Sequence, residues 1–296
     1  MKQISGFIAH DGWATALAFG ADGTLFSGGW DHLAKRWDPI TGTHLNTYQG
    51  HDQVVYAVMG SPDGRVLLSA SVDKTVRVWD VETSTPRHIL TGHRKTVSAL
   101  AISPDGKLAV SGSYDRTIQL WDLASGVELG LLKGHRNNVV ALAFSPDGAI
   151  LVSGGVADDV RIWNLDKRTL VRTFHAHEGA VSALRFLPQG GGLVSTGADN
   201  MLRIWEIVQL TEVCHVDLEI GGTHALALSP SGAAAAITCD RAVKVVDIAS
   251  GTMVDELPIP VKGVYGVSYS PDGSLLAVSS ADKMIRVWDT TSALVS

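Results

Sequence analysis

Residues 92–122, GHRKTVSALAISPDGKLAVSGSYDRTIQLWD, contain the features that decide the fold of this chain. A Gly-His pair opens the stretch, a Ser-Pro-Asp-Gly turn follows at 103–106, an aspartate stands at 115, and Trp121-Asp122 closes it. Between these markers, apolar and polar side chains alternate, as along Thr117–Trp121. Alternation with period two places successive side chains on opposite faces of a β-sheet. The stretch therefore predicts short antiparallel strands joined by tight turns.

The same pattern recurs along the whole chain of 296 residues. The Trp-Asp position returns every 42 residues, with one interval of 41. Its seven occurrences begin at Trp37, Trp79, Trp121, Trp163, Trp205, Val246 and Trp288. Seven such units leave almost no sequence over, and a fixed period of this length indicates a repeat architecture. We expect one all-β domain over residues 1–296.

Because the Gly-His and Trp-Asp pairs repeat in register, the chain resembles the WD-repeat β-propeller family over essentially its full length. In that family each unit is one blade of four antiparallel strands, and the blades are arranged radially so that only short edges stay exposed. The resemblance implies a single seven-bladed β-propeller.

The two ends of the chain predict how the ring closes. Only residues 290–296 follow Trp288-Asp289, too few for an outer strand and its turn. At the other end, residues 3–10 match the segment at 87–93 that precedes a His of the repeat. We therefore expect residues 1–9 to form the outer strand of blade seven, which would remove an open sheet edge.

Five of the eleven histidines occupy the repeated Gly-His position: His10, His51, His93, His135 and His177. In the resembled family this His joins a hydrogen-bonded tetrad with a turn Asp, a strand Ser or Thr and the Trp indole. By position the tetrads are His10, Ser27, Asp31, Trp37; His51, Ser69, Asp73, Trp79; His93, Ser111, Asp115, Trp121; and His177, Ser195, Asp199, Trp205. A Ser-His-Asp group suggests a hydrolase triad, but its repetition in successive blades favours a structural role, in which buried polar groups find partners.

Three blades depart from the pattern. In blade four Ala157 replaces the Asp, with Asp158 and Asp159 displaced, which leaves the grouping of His135, Ser153 and Trp163 in doubt. Blades six and seven lose tetrad members at Leu218, Val246, Pro260 and Val278. We expect these two blades to be held by packing alone.

No cofactor, metal or catalytic residue is predicted. His175-Ala176-His177 resembles a metal pair, but His177 is already assigned to a tetrad and no third ligand lies nearby in the sequence. Cys239 precedes a turn, and we expect it to be a small surface residue rather than a nucleophile, since no matching His is evident.

The composition excludes several classes of partner. The net charge is −6 and the basic residues are scattered, which argues against direct nucleic-acid binding. No apolar run reaches 18 residues, so no membrane insertion is expected. Two cysteines and the lack of a signal-peptide pattern predict a cytoplasmic protein.

By analogy with the family, two repeated positions indicate the face on which partners dock. The first follows the His position by five residues and rings the channel mouth: Thr15, Tyr56, Ser98, Val140, Ser182, His224 and Tyr265. The second precedes the turn Asp: Trp30, Val72, Tyr114, Ala198, Cys239 and Ala281. Trp13 lies near the same rim. The predicted partner-binding face is Trp13, Trp30, Tyr56, Tyr114, His224 and Tyr265, although some of these aromatic residues could instead cap the core beneath them.

Three functions follow as hypotheses. The first is a non-catalytic scaffold that binds protein or peptide partners on the propeller face. The second is a dedicated structural subunit of one stable multiprotein complex, and the third is an enzyme with a site in the central channel. We expect a monomeric ring, alone or within a hetero-complex.

Overall fold

The computed structural model describes residues 1–156, 159–219 and 222–291. These residues form 28 strands in seven four-stranded sheets, and no helix among them is long and apolar enough to cross a bilayer. The first strand is β1 (Lys2–Ile8). Blades one to three contain β2 (Ala14–Phe19), β3 (Leu25–Gly29), β4 (Ala34–Trp37), β5 (His44–Tyr48), β6 (Val55–Gly60), β7 (Val66–Ser71), β8 (Val76–Asp80), β9 (Pro86–Leu90), β10 (Val97–Ile102), β11 (Leu108–Ser113), β12 (Thr117–Asp122) and β13 (Glu128–Lys133).

Blades four to six contain β14 (Val139–Phe144), β15 (Ile150–Gly155), β16 (Asp159–Asn164), β17 (Thr169–His175), β18 (Val181–Phe186), β19 (Gly192–Gly197), β20 (Met201–Glu206), β21 (Thr211–Asp217), β22 (Leu226–Leu228), β23 (Ala234–Cys239), β24 (Ala242–Asp247) and β25 (Thr252–Pro258). Blade seven contains β26 (Val264–Tyr269), β27 (Leu275–Ser280) and β28 (Met284–Asp289).

The first strand of the chain completes the last blade. The sheet order of that blade is β1-β28-β27-β26, with Lys2 opposite Asp289 and Ile8 opposite Met284. The other six sheets follow chain order. The predicted all-β propeller with seven blades, four antiparallel strands in each and closure by the N-terminal strand is confirmed.

The hydrophobic core lies between neighbouring blades. Phe26 of blade one packs with Tyr48 and, from blade two, Val55 and Trp79. The strands in the middle of a blade are covered on both faces, so all six residues of β7 are buried, whereas the outer strand β17 is largely exposed. This arrangement fixes each blade against its neighbours and leaves the channel mouth and the circumference accessible.

The Ser-Pro-Asp-Gly turns link the innermost strand of a blade to the next one. In the turn at 61–64, Oγ of Ser61 donates to Oδ1 of Asp63 at 2.6 Å, and the amide of Gly64 donates to the carbonyl of Ser61 at 2.9 Å. Gly64 has a φ of 72°, a conformation that glycine adopts without strain.

Blade six corrects one prediction. Cys239 is 3% exposed, so the expectation of a surface residue is wrong. The interval of 41 residues shortens the turn after β23, and the ladder therefore continues to a pair between Cys239 and Ala242. In this pair the side chain of Cys239 lies buried between the packed sheets.

Candidate partner-binding site

The four predicted tetrad side chains of blade two lie within hydrogen-bonding distance of one another. Nε1 of Trp79 donates to Oγ of Ser69 at 2.8 Å, and this oxygen lies 2.8 Å from Nε2 of His51. Nδ1 of His51 lies 2.6 Å from Oδ2 of Asp73. Because a carboxylate only accepts, the geometry assigns the His proton to Nδ1 and makes the Ser hydroxyl the donor to Nε2. The chain of bonds therefore engages the indole, the hydroxyl, both ring nitrogens and one carboxylate oxygen.

The structure brings the other three predicted tetrads together in the same way. The Trp–Ser, Ser–His and His–Asp distances are 2.9, 2.7 and 2.7 Å in blade one, 2.9, 2.9 and 2.9 Å in blade three, and 2.9, 2.7 and 2.8 Å in blade five. In each tetrad the Ser residue has no exposed surface. A hydroxyl that is inaccessible and engaged by two partners cannot attack a substrate, so these groups brace the blades.

The charges inside the tetrads are set by burial and by hydrogen bonding. Burial lowers the pKa of His10 and of His177 below the ordinary value, despite the opposing carboxylates. Burial alone would raise the pKa of Asp199, but hydrogen bonds from Arg203 and His177 lower it to about 2. At neutral pH the tetrads of blades one and five therefore combine a neutral imidazole with an ionised carboxylate.

A fifth repeated residue was missed by the sequence reasoning. The residue two positions before the Trp position is basic in six of the seven blades: Lys35, Arg77, Arg161, Arg203, Lys244 and Arg286, with Gln119 in blade three. Nζ of Lys35 lies 3.0 Å from Oδ2 of Asp31, and Nη1 of Arg203 lies 2.6 Å from Oδ2 of Asp199. The repeat itself contained this signal, since the basic residue keeps its offset from the Trp.

Blade four retains three members of its cluster. Oγ of Ser153 accepts from Nε1 of Trp163 at 2.7 Å and lies 2.6 Å from Nε2 of His135. Burial, with a smaller effect of the nearby Arg161 charge, lowers the pKa of His135 to about 4. The predicted departures at 157 and 158 lie outside the described residues, and Asp159 begins β16.

Blades six and seven are not held by packing alone, and that prediction is wrong. In blade seven Nη2 of Arg286 lies 2.5 Å from Oδ2 of Asp282, and Nη1 donates to Oγ of Ser280 at 2.9 Å. In blade six Nζ of Lys244 donates to the carbonyl of Leu218 at 2.6 Å. The basic position is thus retained where the His is lost, and its bonds there are of the same kind as those of Lys35 to the carbonyl of Ala9 and to Asp31 in blade one.

All six residues of the predicted partner-binding face line one pocket of about 390 Å³ at the mouth of the central channel. This pocket, the rim pocket, is bounded by Trp13, Trp30, Tyr56, Tyr114, His224 and Tyr265 together with Thr15, Ser98, Val140, Ala180, Val181, Ser182 and Thr223. Of the positions before the turn Asp, only Trp30 and Tyr114 reach it. The tryptophans and tyrosines of the rim pocket therefore come from blades seven, one, two and three, and His224 comes from blade six.

A close backbone approach places the two tryptophans of the rim pocket side by side. The amide of Trp30 donates to the carbonyl of Trp13 at 3.0 Å. A Cβ atom on Gly12 would lie 2.6 Å from Cβ of Trp30, so a glycine is required at position 12. The local sequence Gly12-Trp13 thus allows the rings to meet.

Four of the six rim residues, Trp30, Trp13, Tyr265 and His224, form a continuous row of rings. The ring centroids of Trp13 and Trp30 are 4.5 Å apart, those of Trp13 and Tyr265 are 5.8 Å apart, and those of His224 and Tyr265 are 5.6 Å apart. Trp13, Trp30 and Tyr56 are 41%, 45% and 37% exposed. The row therefore presents a preformed apolar surface to solvent.

The tyrosine hydroxyls of the rim pocket have no hydrogen-bond partner among the described residues. Burial raises the pKa of Tyr114 and of Tyr265, and the nearby Tyr56 raises both further. The phenols of Tyr114 and Tyr265 therefore stay protonated at neutral pH. Each can donate or accept a bond to a bound group.

The described part of the chain holds no group of three or more His, Cys, Asp or Glu side chains suited to a metal ion. Nε2 of His175 lies 3.5 Å from a carboxylate oxygen of Glu178. Burial raises the pKa of the Cys239 thiol to about 11, which makes its thiolate scarce at neutral pH.

A closed ring of seven sheets, braced by repeated Trp–Ser–His–Asp clusters, defines a repeat-built β-propeller. The family model "WD domain, G-beta repeat" matches residues 1–38, 42–80, 84–122, 126–164, 168–206 and 252–289. The chain belongs to the WD-repeat family. The matched ranges pass over 207–251, which contains most of blade six with Leu218 and Val246. Propellers of this family generally act as non-catalytic platforms that bind protein partners.

The curated relatives match over short segments. The mouse Peroxisomal targeting signal 2 receptor is 45% identical over 38 residues, which cover 13% of this chain and 12% of the relative. The Nuclear distribution protein PAC1 of Arthroderma benhamiae is 42% identical over 77 residues, 23% of this chain and 17% of the relative. WD repeat-containing protein VIP3 of Arabidopsis thaliana is 36% identical over 73 residues, 24% of this chain and 23% of the relative. The matches thus span less than a quarter of each relative.

Proposed function

We propose that this protein is a non-catalytic scaffold that binds a peptide segment of a protein partner in the rim pocket. The observation that carries the proposal is the convergence of Trp13, Trp30, Tyr56, Tyr114, His224 and Tyr265 on one open pocket. Aromatic side chains supply much of the binding energy in protein interfaces, because they bury a large area with little loss of conformational entropy.

Two features support binding over a simple capping role for these residues. Trp13 and Trp30 keep more than two fifths of their surface exposed, although they contact each other. A residue that only capped the core would have its apolar surface covered. The tyrosine hydroxyls, free of bonds to the described residues, can bind backbone amides or carbonyls of a docked segment.

The test is affinity purification with quantitative mass spectrometry. The bait carries Trp30→Ala with Tyr114→Ala, and the control bait carries Leu170→Ala with Val171→Ala on the exposed outer strand β17. We expect the rim variant to lose at least about tenfold in partner recovery, which corresponds to about 1.4 kcal/mol. Thermal melting checks that both baits are folded. If the rim variant retains the wild-type partners at wild-type levels, this site is excluded.

The alternative role is a dedicated subunit of one stable complex. Exposed apolar side chains on the circumference of the propeller favour this role. The outer strands of several blades expose aliphatic side chains, among them Ile89, Leu131, Val171, Val213 and Val254. Size-exclusion chromatography of native extract separates the two roles. A discrete large assembly would support the subunit, and elution as a monomer of 31.3 kDa would support the free scaffold.

The cytoplasm is the proposed location. Cys214 and Cys239 are both free thiols, which suits a reducing compartment. Cell fractionation with the tagged chain tests this directly.

A further inference from the structure

The central channel below the rim pocket contains one unusual side chain. A cavity of about 170 Å³ lies inside the channel and shares Thr15, Tyr56, Ser98, Val140, Ser182, His224 and Tyr265 with the rim pocket. Among the described residues that line either cavity, Arg185 is the only Lys, Arg, Asp or Glu. The permanent charge inside the channel is therefore positive, although the chain as a whole carries a net charge of −6.

The packing of the inner strands does not require a cation at this position. Arg185 lies on β18 and pairs with Val194, the residue before the tetrad Ser195. The residues in the same register of the other blades are Ala18, Met59, Ala101, Ala143, Ala227 and Ser268. Arg185 stands three residues beyond Ser182 at the mouth, which is about 10 Å along a strand. Blade five thus has a charged residue deep in the channel, where the other six blades have Ala, Met or Ser.

The guanidinium of Arg185 has little protein to bind. Its Nη1 donates to the carbonyl of Leu184 at 2.8 Å, and within the described residues it forms no ion pair. A guanidinium carries five N–H donors. Burial lowers the pKa of Arg185, and no nearby charge opposes that effect. Arg185 is partly buried and lines the cavity, so an anion there would accept charge-assisted hydrogen bonds from its guanidinium.

We propose that Arg185 binds a small oxyanion, a carboxylate or a phosphate, in the central channel. The geometry of the two connected cavities allows two sources. One is a free anion from solution. The other is the carboxylate of a segment docked in the rim pocket, and only this second source rests on the proposed function.

The experiment is thermal melting of the purified chain in sodium phosphate or sodium acetate against sodium chloride at equal ionic strength. The test variant is Arg185→Met, because Met59 occupies the same register in blade two. The control is Arg172→Met on the exposed strand β17, which removes the same charge elsewhere. We expect phosphate or acetate to raise the Tm of wild type and of the control by at least about 2 °C, and to leave Arg185→Met unchanged. Equal shifts in all three proteins, or no shift in wild type, would overturn the proposal.

A second arm identifies the source. N-acetyltriglycine, which ends in a carboxylate, is compared with its carboxamide on wild type and on Trp30→Ala with Tyr114→Ala. A Tm gain specific to the carboxylate and dependent on the rim indicates a docked segment. A gain with phosphate or acetate alone, retained in the rim variant, indicates a free anion. Because the phosphate arm needs no partner, its result is independent of the partner recovery that tests the proposed function.

Discussion

Phe7 lies opposite Ile285 in the ladder between β1 and β28, and its ring packs 5.2 Å from that of Trp37 in blade one. The first strand of the chain therefore does two things. It completes the last blade through backbone hydrogen bonds, and it contacts the first blade through this aromatic pair. Closure of the ring depends on both.

Deletion of residues 1–8 tests the closure. We expect the free energy of unfolding to fall by about 3 kcal/mol or more, because the deletion removes the ladder to β28 and the contact of Phe7 with Trp37. Urea denaturation measures the change. Ile8→Ser, at an exposed position of the same strand, is the control and should change little. A truncated chain as stable as wild type would show that the ring does not need β1.

The tetrad of blade two should behave as a coupled unit. Ser69→Ala leaves the indole of Trp79 and the ring of His51 without their shared partner, so we expect a loss of about 1–3 kcal/mol in unfolding free energy. Trp79→Phe and the double variant complete a mutant cycle. The two losses should be less than additive, because the second change removes a bond already broken. Full additivity would contradict the network.

His135 should make stability depend on pH. Its pKa in the folded chain is about 4, below the ordinary 6.5, so the unfolded chain binds a proton more readily. This contribution to stability is complete above pH 6.5 and is lost as the pH falls towards 4. His135→Gln should therefore lose less unfolding free energy than wild type between pH 7 and pH 5, measured in urea. His10 and His177 are present in both proteins, so the difference between the two losses reports His135. Identical losses would contradict the lowered pKa of His135.

The ion pair between Arg286 and Asp282 should stabilise blade seven, which has no complete tetrad. Arg286→Ala leaves Asp282 without its buried cation, and we expect a loss of about 3 kcal/mol. Adding Asp282→Ala should recover part of this loss, because no unpaired carboxylate then remains. Chemical denaturation of the two variants measures both effects. If Arg286→Ala is as stable as wild type, packing alone holds this blade.

The sequence predicted the architecture because backbone spacing and strand alternation are local properties. The Trp positions from 37 to 288 identified the blades, and the match between residues 3–10 and 87–93 identified the closing strand. The same register predicted each tetrad group whose side chains the structure brings together. Repetition made these inferences possible, because a position assigned in one blade could be assigned at the same offset in the others.

Departures from the repeat were predicted poorly, because their consequences depend on neighbouring structure. One deleted residue after β23 changes a turn and buries Cys239. The contact of Lys244 with the carbonyl of Leu218 was missed because the basic position was overlooked, although Lys35 makes the same contact with the carbonyl of Ala9 in blade one. The membership of the rim pocket was predicted from register, but the approach of Trp13 to Trp30 depends on the path of the backbone at Gly12.

Site-specific photocrosslinking tests the location of the partner most directly. A benzoylphenylalanine replaces Tyr56 in the rim pocket in one protein and Val171 on the circumference in the other. We expect irradiation in cell extract to give a discrete covalent adduct from position 56 that free wild-type protein competes away, and none from position 171. An adduct from position 171 with none from position 56 would contradict binding in the rim pocket.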